Sequence, residues 1–203
     1  MLNKKMIQNK SLLFTIIISI ALLFKFTFIQ SHISSGWCPT LVHENNKFDI
    51  KPYEGVWYEQ IRNSDFFIEK GECAIDDLKI LNENEYQVLN TEISKDNGEL
   101  ITRHASMKLY SKEKPFNYGI KFFDMQPRAD YQIFDTDYKN FAIVYSCTNL
   151  LFSKYELIWI MSREPEMDKN LLENLIQRIE KELYISRKVF YYTNQSNEVC
   201  KRK

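Results

Sequence analysis

Four cysteines, Cys38, Cys73, Cys147 and Cys200, are the side chains in this sequence best equipped for covalent chemistry. An even number of Cys beyond an apolar leader reads as two disulfides, and four Cys allow three connectivities that spacing alone does not separate. No two of them form a C-x-x-C pair, and the three His (32, 43 and 104) are scattered. A zinc site is therefore not expected, nor any other metal or cofactor. No G-x-S-x-G marks a nucleophilic serine. A different cluster stands out in "KPYEGVWYEQ", where Gly55 is followed by Trp57, Tyr58 and Glu59. Gly weakens a strand unless a bend or close backbone approach needs it, and a buried Trp wants a partner for its N–H. The pair suggests a corner at which the chain turns inward and plugs an interior.

The elements that must hold such a plug are short strands. "GVWYEQIRNSDF", "CAIDDLKIL", "YQVLNTEIS", "LITRHASMKLY", "NYGIKFF", "ADYQIF", "NFAIVYSC" and "KYELIWIM" follow one another, separated by turn signals. The Asn-Gly of "KDNG" is a strong hairpin signal. Eight such runs suggest a sandwich or a closed barrel, and no helical pattern between them supports parallel βαβ units. The period then changes. Apolar residues at 171, 172, 175, 176, 179 and 183 form one face of an amphipathic helix, with Asp168 as its N-cap. That stripe is expected to pack on the outside of the sheet.

The 203 residues suit one folded domain, 36–203, behind a signal peptide at 1–35. Lys4, Lys5 and Lys10 form a basic start, Ser11–Phe24 an apolar run, and Ser31, Ser34 and Ser35 a small-residue exit. Lys25 interrupts the run before it reaches spanning length, which favours cleavage and secretion over an uncleaved anchor tethering the protein to a membrane. The whole chain has zero formal charge. Losing the four Lys of the leader leaves 23 basic against 27 acidic groups, or −4. That balance gives no footprint for nucleic acid and little attraction to an anionic membrane. Composition leaves the oligomeric state open. Asn194 begins the glycosylation sequon "NQS".

Three motifs in order, with eight strands, a helix and a leader, resemble the lipocalin family, in its apolipoprotein D-like branch. They are "KFDIKPYEGVWYE" with Gly55 and Trp57, "TDY" at Thr136, Asp137 and Tyr138, and Arg163 in "WIMSREP". The resemblance covers about residues 36–200. It implies an all-β fold, an eight-stranded antiparallel up-and-down barrel with the C-terminal helix outside. It implies a closed floor in which Arg163 covers the ring of Trp57, with the Thr136–Tyr138 turn at the same end, so these motifs are structural rather than catalytic. It implies disulfides Cys38–Cys147 and Cys73–Cys200. Alternation along the eighth strand puts Leu157, Trp159 and Met161 on the face of Arg163. By the same resemblance the ligand positions are Leu78, Glu92, Phe122, Tyr131 and Trp159, a set suited to an apolar molecule with one polar end. The expected function is a secreted carrier of a small hydrophobic ligand of the fatty acid, sterol, retinoid or pigment class. The alternatives are a lipid-modifying isomerase or de-epoxidase, which needs a reactive thiol or paired carboxylates in the cup, and a filled barrel that binds a protein partner through its open-end loops. With every Cys assigned to a disulfide, catalysis is not expected.

Overall fold

The computed structural model describes residues 33–41, 48–63, 68–125 and 127–201. Most of the leader expected at 1–35, together with His32 and His43, lies outside them. Eight antiparallel strands form the barrel: β2 Gly55–Asn63, β3 Glu72–Ile80, β4 Glu85–Ile93, β5 Leu100–Leu109, β6 Asn117–Lys121, β7 Ala129–Thr136, β8 Phe141–Asn149 and β9 Ser153–Ser162. Each pairs with the next, and β2 closes on β9 from Tyr58↔Ser162 to Arg62↔Trp159. Closure removes the sheet edges that a strand series of this kind would otherwise expose.

Period-2 patterning decides which side chains enter. On β4 the buried positions are Tyr86, Val88, Asn90 and Glu92, alternating with partly exposed ones. Strand β8 is instead buried continuously from Ala142 to Cys147 because both of its faces are covered. Ala142 and Val144 belong to the interior core, whereas Ile143 and Tyr145 belong to a second, outer core. The outer core forms beneath helix α1, Lys169–Glu182, whose Leu175, Ile176 and Ile179 are buried against Ile61, Ile158 and Ile160. Asp168 caps this helix by accepting the Leu171 N–H at 2.9 Å. The 3.6-residue stripe thus covers the barrel's outside, as its amphipathic pattern requires.

Two short strands were not legible in the sequence. β1, Ile33–Ser35, adds to the open-end half of β9, and β10, Phe190–Tyr192, adds to the open-end half of β2. The residues of β1 fall within the segment read as leader. β10 is needed because β2 pairs with β3 only over Gly55–Tyr58 and then diverges. The chain after β10 fills that seam: Thr193 N–H donates to Gln60 O and Cys73 N–H to Asn194 O, both at 3.0 Å. A four-residue helix, α2 Asn197–Cys200, follows. Disulfides join Cys38 to Cys147 and Cys73 to Cys200, with Cα–Cα distances of 5.8 and 5.6 Å.

Candidate functional site

The floor of the barrel is built around Trp57, which is 1% exposed. Its Nε1–H donates to Tyr53 O at 2.9 Å. The Arg163 guanidinium lies 3.8 Å from its ring centroid. The same guanidinium ties three segments together, donating from Nε to Tyr138 O, from Nη1 to Val56 O and from Nη2 to Pro52 O at 2.8–3.0 Å. Gly55 has φ +98°, a backbone conformation that a side chain disfavours, and so permits the turn into β2. Thr136 and Asp137 shape the turn between β7 and β8. Thr136 Oγ1 accepts from Tyr138 N–H, and Asp137 Oδ1 accepts from Lys139, Asn140 and Phe141 N–H. Partial burial pushes the Asp137 carboxyl up, but the Phe141 and Asn140 amides outweigh it and hold it below its ordinary value.

Above this floor Met107, Tyr118 and Ile133 fill the interior and are buried. Higher still is a cavity of about 130 Å³. Ile120, Val144, Leu157 and Met161 contribute to its apolar wall, and Phe122, Tyr131 and Trp159 bring three aromatic groups to it. Phe122 lies one residue beyond the end of β6, so it reaches the cavity from the β6–β7 loop rather than from a strand. Of the five ligand positions named from sequence, the structure brings these three together. Leu78 pairs with Gly55, at the height of the floor, and does not line the cavity. Glu92 faces inward but lies behind the wall: its Oε1 accepts from Arg103 Nη2 and its Oε2 from Gly71 N–H, both at 2.7 Å. A Cβ on Gly71 would meet Ile93 O at 2.4 Å, so the loop before β3 lies directly on the end of β4.

Among the lining residues not singled out from sequence, Glu69 and Asp76 form a polar pair. Asp76 was readable, because a period of 2 puts it on the same face of β3 as Leu78. Glu69 sits in a loop, where no period applies. The two carboxyls share one amide: Asn90 Nδ2 donates to Glu69 Oε1 at 2.6 Å and to Asp76 Oδ1 at 2.9 Å. Arg103 Nη1 donates to Asn90 Oδ1 at 3.1 Å and so orients that amide. Trp159 Nε1 donates to Glu69 Oε2 at 3.0 Å. A bulge at Gln60 turns both Glu59 and Arg62 inward, where they pair beneath the Gly71 carbonyl. Burial pushes the Glu59 carboxyl up despite Arg62. Burial, and then the charges of Glu59 and Asp76, push Glu69 well above the carboxylate range. Burial raises Asp76 to about 6, against the Asn90 hydrogen bond and with help from Glu59.

Asp76 therefore makes stability depend on pH. Below about pH 4 both folded and unfolded chains hold its proton. As pH rises, the unfolded chain releases the proton first, and the folded state loses up to on the order of 3 kcal/mol by the time pH passes the folded value of about 6. Urea midpoints of the wild type are expected to fall across this window more steeply than those of Asp76→Asn. Parallel profiles would show that Asp76 titrates normally.

Residues 54–197 match the model of the lipocalin / cytosolic fatty-acid binding protein family. The chain is 35% identical to apolipoprotein D of Mus musculus over 131 residues, 64% of this chain and 68% of that one. Among solved structures, lobster apocrustacyanin A1 superposes with a TM-score of 0.72 at 20% identity, covering 84% of this chain and 94% of that one. Insecticyanin of Manduca sexta does so with a TM-score of 0.71 at 22% identity, covering 84% and 92%. These two likenesses are of fold; the family match and the apolipoprotein D relative carry the assignment. The chain belongs to the lipocalin family.

Proposed function

We propose that the protein is a secreted carrier of a small hydrophobic molecule, held in the cup with its polar end toward Glu69 and Asp76, and that it is not a catalyst. The observation that carries this reading is the cavity itself, a mainly apolar space inside a closed barrel with Glu69 and Asp76 together at one part of its wall. A cavity of about 150 Å³ lined by apolar side chains accepts benzene, so one near that size suits a single ring or a short chain. A sterol, retinoid or larger pigment requires the cup to widen toward the several hundred Å³ usual for such ligands. All four Cys are in disulfides, which removes the thiol form of the enzymatic alternative; the paired carboxyls of its other form are present as Glu69 and Asp76, which this reading assigns to holding the ligand's polar end. The leader at 1–35 supplies the route to secretion. Among the described residues no helix is long and apolar enough to cross a membrane.

Titration with apolar ligands, from single-ring aromatics to fatty acids and retinol, tests this reading. Binding is expected to quench Trp fluorescence, and Trp159→Ala is expected to weaken it about tenfold or more, since losing 60–100 Å² of apolar contact costs roughly 1.5–2.5 kcal/mol. Equal affinity in Trp159→Ala would place the pocket elsewhere. A second reading, protein binding through the open end, draws on exposed apolar residues there: Leu151 and Phe152 between β8 and β9, and Phe123 and Met125 after β6. It takes precedence if no member of the panel binds the wild type.

A further inference from the structure

Around the cavity the inward charges do not balance. Four carboxyls, of Glu59, Glu69, Asp76 and Glu92, meet two guanidinium groups. Arg62 pairs with Glu59, and Arg103 pairs with Glu92. Among the described residues neither Glu69 nor Asp76 has a cationic partner in contact; they are two of the three carboxylate residues lining the cavity, and the third, Asp130, hydrogen-bonds with Tyr110. A single Asn90 nitrogen touches one oxygen of Glu69 and one of Asp76, so both lie within reach of one small group. In the empty cup, protons relieve the excess negative charge, because burial holds Glu69 well above the ordinary carboxylate range.

A ligand's polar end decides whether it fits such a wall. A carboxylate would add negative charge to a wall that already needs protons to relieve its own, and is repelled. An alcohol can hydrogen-bond there but leaves the imbalance in place. An ammonium has three donors and a positive charge, and both are what two adjacent carboxyls lack. The aromatic faces of Trp159 and Tyr131 at the same cavity favour a cation further. Among the described residues no three carboxyl, His or Cys side chains converge as metal ligands, and the charge points to an organic cation rather than a metal ion.

We propose that the cup selects a ring-sized apolar molecule bearing a protonated amine, its ammonium seated at Glu69 and Asp76 and its ring against Phe122 and Trp159. This rests on the reading of the cavity as the ligand site. Binding is then proton-coupled: the ammonium takes the place of a carboxyl proton, and that proton passes to the buffer.

Three ligands of one shape test it on the wild type at pH 7: 2-phenylethylamine, 2-phenylethanol and phenylacetate. Calorimetry is expected to show the amine binding at least tenfold more tightly than the alcohol, and phenylacetate most weakly. The amine's apparent heat is expected to differ between phosphate and Tris by the heat of the released proton. Glu69→Gln and Asp76→Asn, each checked for folding by its urea midpoint, are expected to collapse the amine-to-alcohol preference. If the alcohol or phenylacetate binds the wild type as tightly as the amine, the amine proposal fails while the ligand cavity stands. If none of the three binds, the amine proposal fails, and the wider panel of apolar ligands decides the reading of the cavity. The wild-type comparison decides the matter even where a variant does not fold.

Discussion

Trp57→Ala is expected to destabilise the protein by about 3–5 kcal/mol, the range for emptying a buried large aromatic site. The indole is 1% exposed and packs within the floor, with the Tyr53 ring centroid 4.9 Å from its own at an interplanar angle of 32°. Truncation leaves a void between the start of β2 and the Arg163 guanidinium, and it orphans the Tyr53 carbonyl that its Nε1–H satisfies. The neighbours cannot collapse into the space cheaply, because Arg163 is fixed by three carbonyls from three segments. Arg163→Ala is expected to cost less than Trp57→Ala, since it removes hydrogen bonds at a half-open edge rather than a filled core volume. A double-mutant cycle is expected to show coupling of roughly 0.5–2 kcal/mol, the strength of a guanidinium held over an indole. Chemical denaturation of the four proteins measures it. Losses that add within experimental error would mean that the two side chains stabilise the floor independently.

This floor was the most legible part of the molecule. Gly55, Trp57 and Arg163 have types that few other environments call for together, and strand alternation from Arg163 through Met161 and Trp159 to Leu157 carried the reading up into the cavity. The helix was legible for a similar reason, because its 3.6-residue stripe has one purpose. The cavity's height above the floor was not. A matched ligand position carries no depth along the barrel axis, and the Gly55↔Leu78 register is what sets Leu78 too low. Glu92 shows a second limit. Alternation places it inward, but only tertiary structure shows the Gly71 loop folded over it. The polar side of the cup depends on such long-range closure: Glu69 comes from a loop, Asn90 from β4, and a one-residue bulge brings both Glu59 and Arg62 inside. The tail in the seam between β2 and β3 had no pattern either. Its sequence is polar, and it holds its place mainly by hydrogen bonds and a disulfide.

Removing that disulfide, with Cys73→Ser and Cys200→Ser together, is expected to cost about 4–5 kcal/mol through the freedom restored to the unfolded chain. The bridge spans 127 residues, and Cys38–Cys147 spans 109. Chain entropy alone separates loops of those lengths by only about 0.1–0.2 kcal/mol, so on that account the two double variants lose nearly the same stability. The native state distinguishes them. Cys38 ties down an exposed segment outside the barrel, with its N–H on Asn149 Oδ1 at 2.7 Å. Cys200 anchors the tail that joins β2 to β3 where they part. Within that tail Gln195 Nε2 donates to Glu59 O and Ala74 O at 2.9 and 2.8 Å, one carbonyl from each strand. Thr193 Oγ1 accepts from Arg62 Nη1 at 2.9 Å and so covers the buried Glu59–Arg62 pair. Loosening the tail admits water to that pair and leaves carbonyls of two strands unsatisfied, which adds a local cost to the entropic one. The Cys73/Cys200 variant is therefore expected to be the less stable of the two. Its Thr193 and Cys73 amide positions are expected to exchange hydrogen faster, with the floor at Trp57 still protected. Equal stabilities with unchanged exchange at Thr193 would show that the tail holds the seam without its disulfide.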